Sequence, residues 1–137
     1  MSLFVDTSVW YAAADAGDHS HPRATKILSS GERLVTTDHV LVESWTLLRR
    51  RLGWLPAERF WERLRAGVAV IEPVVSADLE AAWATGTAFP DQDFSLVDRT
   101  SFAVMLRLGI ERVASFDAHF AVYRYGRGRD RAFVAVS

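Results

Sequence analysis

The spacing of apolar residues changes along the chain, and each change marks an element. Leu3-Phe4-Val5 is an unbroken apolar run ending at Asp6, after which Thr7-Ser8 opens a helical spacing through Val9, Trp10 and Ala13. This reads as a strand whose last residue is Asp6, then a helix over 7–14 that stops in the turn Asp15-Ala16-Gly17-Asp18. Beyond the polar His19-Ser20-His21-Pro22, the pattern predicts a short helix over 23–28 and a strand over 33–37. Asp38 is a suitable N-cap for a helix over 40–52, whose Leu41, Trp45, Leu48 and Leu52 form one stripe and which Gly53 closes. A helix over 57–66 follows Pro56 and carries Phe60, Trp61 and Leu64 on its apolar face. Residues 68–75 read as the third strand, 78–88 as a helix with Leu79, Ala82 and Trp83 facing inwards, and 89–93 as an acidic loop. Next come a helix over 95–109, a strand over 112–116, a short turn or helix over 117–120, and a last strand over 132–136.

This alternation predicts a three-layer α/β/α architecture with a mostly parallel, roughly five-stranded central sheet and right-handed crossovers. No repeat or linker interrupts residues 1–137, so one domain is expected. In such a sheet Asp6 and Asp117 leave their strands on the carboxyl edge, where open α/β sheets bind ligands. The helices starting near Asp38 and Ser95 begin from the same edge, which lets Glu43 and Asp98 lean over it.

Each acid also has a purely structural explanation. Asp6 and Asp117 could cap helices. Glu43 lies nearly opposite the apolar stripe of its helix, and periodicity alone makes it solvated. Asp98 sits near the middle of an apolar face, with Arg99, Thr100 and Arg107 pointing away, where an unpaired carboxylate is costly. Yet Ser95-Leu96-Val97-Asp98 also fits a capping box. What favours chemistry is the convergence: four acids reach one crevice with no basic partner in the same stretches. Clustered carboxylates repel one another, and their hard oxygen ligands suit Mg²⁺ or Mn²⁺ and disfavour Zn²⁺. Such sites commonly serve phosphoryl chemistry. Asp18, His19 and His21 lie in a loop beside Pro22 without a second ligand group, and read as a polar turn.

Composition narrows the field further. Half of the 137 residues are hydrophobic and five are Trp, which excludes a disordered chain. Cysteine is absent, so disulfides and thiolate metal sites are excluded and a reducing compartment fits. The N-terminal stretch lacks the features of a signal peptide, and no run of about 18 apolar residues exists, so a cytoplasmic protein with no membrane partner is expected. A net charge of −1 carries no global nucleic-acid signature. Fifteen of the sixteen basic residues are Arg, however. Arg49, Arg50 and Arg51 end a helix, where cations suit its dipole. Arg124, Arg127, Arg129 and Arg131 crowd a Gly-containing loop that is either a phosphate-contacting edge or a solvated turn.

Taken together, Leu3-Phe4-Val5-Asp6-Thr7-Ser8, Val42-Glu43, the stretch from Ser95 to Met105 and Phe116-Asp117-Ala118-His119-Phe120 resemble the conserved blocks of PIN-domain proteins. The subgroup they resemble is the VapC toxins of prokaryotic toxin–antitoxin pairs. The resemblance implies an Mg²⁺- or Mn²⁺-dependent endoribonuclease inhibited by a VapB-type antitoxin. By position it implies Asp6 and Asp98 as principal metal ligands and Asp117 as a direct or water-mediated one. Glu43 would orient the attacking water or act as base, with Ser8 and Thr7 in support. The substrate would be single-stranded or loop RNA, with Arg49, Arg50, Arg124, Arg127 and Arg129 as candidate phosphate contacts. The Trp-rich surface would serve a homodimer and the antitoxin. Two alternatives remain. An aspartate-nucleophile phosphatase would want an Asp-x-Asp pair, where this chain has Asp6-Thr7-Ser8. A non-catalytic RNA-binding or scaffold domain of the same fold would be expected to lose some of the acids.

Overall fold

The apolar run at the start of the chain is β1 (Ser2–Val5), whose Leu3, Phe4 and Val5 are fully buried. A central parallel strand has partners at both edges and helices on both faces, so its side chains are apolar without alternation. A computed structural model describes all 137 residues. After β1 come α1 (Thr7–Ala14), α2 (His21–Leu28), β2 (Arg33–Thr37), α3 (Asp38–Leu52), α4 (Trp54–Arg65) and β3 (Val70–Glu72). Then follow α5 (Ser76–Ala88), α6 (Leu96–Leu108), β4 (Arg112–Ala114), α7 (His119–Val122) and β5 (Val134–Val136), with a 3₁₀ turn at Arg127–Arg129.

The five strands form one sheet in the order β3-β2-β1-β4-β5, parallel throughout, with Phe4 in register with Val35 and Val113. Helices α1 to α4 pack on one another and α5 to α7 form a second group. Right-handed crossovers demand this division, because the chain moves outward from β1 to β3 and then returns across the sheet to β4. The α/β/α expectation is met. The reversal leaves a switch point between β1 and β4, where the connections depart in opposite directions and open a crevice at the carboxyl edge.

A cluster of 26 buried hydrophobic residues holds the layers together. On the α6 side it is aromatic: Phe102 stacks on Tyr123 with centroids 4.2 Å apart and meets Phe94 and Phe120 edge-on at 5.2 and 5.1 Å. Such ring pairs add to area burial and fix the angle at which α6 meets α7.

Several local expectations are corrected. The N-cap of α3 is Thr37, whose hydroxyl accepts the Val40 N–H at 3.0 Å. Asp38 instead accepts the Val74 N–H at 3.0 Å and ties α3 to the chain after β3. The third strand spans only Val70–Glu72, since an edge strand pairs on one side only. The fourth and fifth strands are likewise shorter than their apolar runs. Trp83 and Leu79 face solvent, 75% and 45% exposed, and Ala82 is the fully buried hydrophobic residue of α5. Thr100, expected to point away, is fully buried, and Arg107 turns back to grip Asp78. Arg107 turns because α5 packs on α6, whereas the Thr100 hydroxyl lies 3.4 Å from His39 Nδ1 of α3, so α6 buries more than one face. His21, the first residue of α2, donates through Nδ1–H to the Ala12 carbonyl, 2.8 Å away. No helix is long and apolar enough to cross a membrane.

Candidate active site

The crevice between β1 and β4 is furnished by residues that the strand ends release. Asp6 follows Val5 in extended conformation, its N–H donating to the Ala114 carbonyl at 3.0 Å, and its side chain caps nothing. The carboxylate is held instead by two hydroxyls: Ser8 and Ser115 both donate to Oδ2, at 2.9 and 2.8 Å. Ser8 in turn accepts the Phe116 N–H at 2.9 Å, and Ser115 accepts the Asp117 N–H at 3.0 Å. The two serines thereby fasten the end of β1 to the end of β4 and carry Asp117 to the same edge.

Asp98 satisfies both of its sequence readings. As the third residue of α6 it completes a reciprocal capping box, with Ser95 N–H donating to Oδ2 and Asp98 N–H donating to Ser95 Oγ, each at 3.0 Å. It is also 7% exposed and faces the crevice group, where His119 Nδ1 lies 2.7 Å from the same Oδ2. His119 N–H donates to Asp117 Oδ1 at 2.9 Å.

Glu43 departs most from its periodicity. It is half-buried, because α1 crosses α3 and the Thr7 hydroxyl donates to Oε1 at 2.6 Å. Thr7 is itself buried and follows Asp6 directly, so α1 places an acid and the tether of another in consecutive positions.

Ligand atoms of Asp98, Asp117 and His119 lie within 4.8 Å of one another, a spacing one cation can bridge. Asp6 and Glu43 stand outside this tight group: Ser115 links Asp6 to Asp117, and Thr7 holds Glu43 beside Asp6. No Lys or Arg forms an ion pair with any of the four acids. Asp6 registers the crowding: burial pushes its pKa up to about 6, the Ser115 and Ser8 hydrogen bonds pull it down, and the nearby Asp98 charge raises it. Partial burial would lower the His119 pKa. The Asp98 hydrogen bond and the charges of Asp117, Asp98 and Asp93 outweigh that and raise it. A set of carboxylates this close, with one buried acid resisting ionisation and no Lys or Arg partner, fits a divalent cation.

The arginines are spread more widely. Arg49 and Arg50 are exposed at the far end of α3, six and seven residues beyond Glu43. Arg129 lies over the Phe89 ring at 4.9 Å, and Arg124 folds onto the Ala121 and Tyr123 carbonyls. Arg127 is exposed without a hydrogen-bonded partner. Sequence reasoning assigned no role to Ser115. The hint available for Ser115 was register, since β4 pairs with β1 through Val5 and Ala114 and so sets Ser115 beside Asp6.

Comparison with known proteins identifies the family of the whole chain. A family model described as PIN domain matches residues 3–124. The 23S rRNA-specific endonuclease VapC20 of Mycobacterium tuberculosis, in strains CDC 1551 / Oshkosh and H37Rv, is 41% identical over 121 residues. The match spans 87% of this chain and 92% of the relative. The crystal structure of Mycobacterium tuberculosis VapC20, described as a Sarcin-Ricin loop cleaving toxin, superposes with a TM-score of 0.83 at 37% identity, covering 88% of this chain and 93% of that one. The fold, the acidic crevice and these matches agree: the chain belongs to the PIN-domain family, as a VapC-type toxin ribonuclease.

Proposed function

We propose that the chain cuts 23S ribosomal RNA at an exposed loop, using Mg²⁺ or Mn²⁺ held by Asp6, Asp98 and Asp117. The observation that carries this reading is the set of carboxylates at the switch point, tethered by Ser8, Ser115, Ser95 and His119 and left without a Lys or Arg partner. The 41% identity to a 23S rRNA-specific endonuclease supports the choice of RNA. When bound, the cation supplies charge neutralisation for the scissile phosphate and activation of a water. Glu43 takes or directs the water's proton from the α3 side, at an angle set by Thr7. An acidic crevice repels a phosphate strand unless a cation bridges the two, and a flexible loop can bend to meet it.

Thr7→Val keeps the shape of the side chain and removes its hydroxyl. Cleavage is expected to fall roughly 10- to 100-fold with little change in fold, as measured by initial rates on a loop-containing RNA. Equal rates for the variant would show that Glu43 needs no tether.

The reading extends to partners. A cavity of about 550 Å³ between α1, α2 and α4 is lined by Trp10, Phe60 and Leu64, with Arg59 and Arg63 at its wall. Its apolar floor and basic wall suit an amphipathic antitoxin segment with acidic residues. Trp83 and Leu79, exposed on α5, support a homodimer. A ribosomal RNA target fits a cytoplasmic protein. The test is cleavage of intact ribosomes with Mg²⁺, Mn²⁺ or EDTA, mapping 23S ends by primer extension. A single metal-dependent cut in an exposed loop is expected. Cutting unaffected by EDTA would overturn the metal assignment, and cuts confined to other RNAs would overturn the substrate.

A further inference from the structure

We propose that His119 is a positioning residue that fixes which oxygen of Asp98 faces the cation, and so sets metal affinity without being a ligand. The inference rests on the metal-centre reading above. Asp98 Oδ2 is engaged twice, by Ser95 N–H at 3.0 Å and by the His119 ring at 2.7 Å, while Oδ1 accepts no hydrogen bond. The other two acids show the same division of labour. Ser8 and Ser115 hold Oδ2 of Asp6, and His119 N–H holds Oδ1 of Asp117. A carboxylate fastened through one oxygen presents the other in a fixed direction. Groups that orient a metal's ligands in this way commonly account for 10- to 100-fold in affinity.

His119 is placed for that task rather than for ligation. Its backbone N–H donates to Asp117 Oδ1, and its ring Nδ1 lies 2.7 Å from Asp98 Oδ2 and 3.4 Å from Asp117 Oδ1, so one residue sets the relative position of two ligands from separate elements. The ring is held edge-on to Phe94, with centroids 5.4 Å apart, and the next residue, Phe120, is anchored in the aromatic core. The Nδ1 atom that approaches the acids is already engaged by Asp98, and a hard cation prefers the oxygens beside it. The Ser95 hydrogen bond alone cannot do the same work. It lies within the first turn of α6 and orients Asp98 relative to its own helix only.

The test compares Mn²⁺ binding by wild type, His119→Phe and His119→Asn, with no RNA present, using calorimetry and the electron paramagnetic resonance signal of free Mn²⁺. Phe keeps the ring against Phe94 and removes the donor. Asn returns an N–H near the position of Nδ1 and gives up the ring. Affinity is expected to drop about 10- to 100-fold in His119→Phe and to stay within about threefold of wild type in His119→Asn. Equal losses in the two variants would make His119 a ligand or a packing residue and overturn the proposal. Unchanged affinity in His119→Phe would overturn it as well, even if thermal unfolding in EDTA shifted. If wild type itself bound no Mn²⁺, the metal-centre reading would fall first, which separates that failure from a failure of His119.

Discussion

Asp6→Asn is expected to lower RNA cleavage by about 10²- to 10⁴-fold and, in the same protein, to raise the stability of the metal-free fold. The loss of activity follows from removing a charged oxygen at the crevice between β1 and β4. The gain in stability follows from burial. Asp6 is 4% exposed, and its pKa is raised from 3.8 to about 6, chiefly by desolvation. The folded protein therefore holds the Asp6 proton more tightly than the unfolded chain does. This contribution is fully present below about pH 4 and is lost as pH rises through about 6. A carboxyl raised that far costs the fold roughly 3 kcal/mol at neutral pH, an upper bound for what a neutral Asn recovers. Asn retains an acceptor for Ser8 and Ser115, so the serine fastening survives. Urea unfolding in EDTA at pH 4 and at pH 7.5 checks the point. The variant should match wild type at the lower pH and exceed it at the higher. Divalent cation should reverse the order, because only wild type gains binding energy from it. A variant no more stable than wild type at pH 7.5 would mean that Asp6 is not desolvated.

Arg107→Ala carries the largest expected loss of stability, about 3–5 kcal/mol at pH 7. Asp78 is 3% exposed, and Arg107 grips both its oxygens through Nε and Nη2 at 3.0 and 2.9 Å. The same guanidinium reaches Glu72 and the Pro73 carbonyl, each at 3.3 Å, and so joins the end of α6 to α5 and to the end of β3. Burial alone would raise the Asp78 pKa. The Arg107 hydrogen bonds, the Val75 N–H and the Arg107 charge together lower it. For wild type this pair contributes stability above the ordinary carboxylate pKa of 3.8, lost as pH falls through the lowered folded value. The variant keeps a buried acid without its cation, and protonation relieves it, so its deficit should shrink towards pH 4. Asp78→Leu combined with Arg107→Ala should recover part of the loss, since no unpaired charge remains. Equal destabilisation by the single and the double variant would place the cost in lost Arg107 packing instead.

The chain's local chemistry determined more of this protein than its net charge of −1 did. Strand β1 was legible because a strand covered on both faces is apolar without interruption, and Leu3-Phe4-Val5 is fully buried. Asp98 was legible because a capping box and an apolar-face carboxylate are both patterns within one helical turn. The alternation of elements then allowed one parallel sheet, and its carboxyl edge collected the acids. What the tertiary structure alone decided lies between residues far apart in the chain. Glu43 owes its half-buried position to Thr7, 36 residues away, and periodicity had turned it to solvent. Ser115 meets Asp6 across 109 residues, and His119 meets Asp98 across 21. The exposure of Trp83 and the burial of Thr100, whose hydroxyl lies 3.4 Å from His39 of α3, follow from how the helices lie on one another. Residue type and period fix which element forms and which acids stand at its end, because those are interactions within a turn or a strand. Local donors tie these acids once: Ser8 to Asp6, Ser95 to Asp98 and His119 N–H to Asp117. The second donors, Ser115 on Asp6 and the His119 ring on Asp98, come from other elements, and only the packed sheet brings them in.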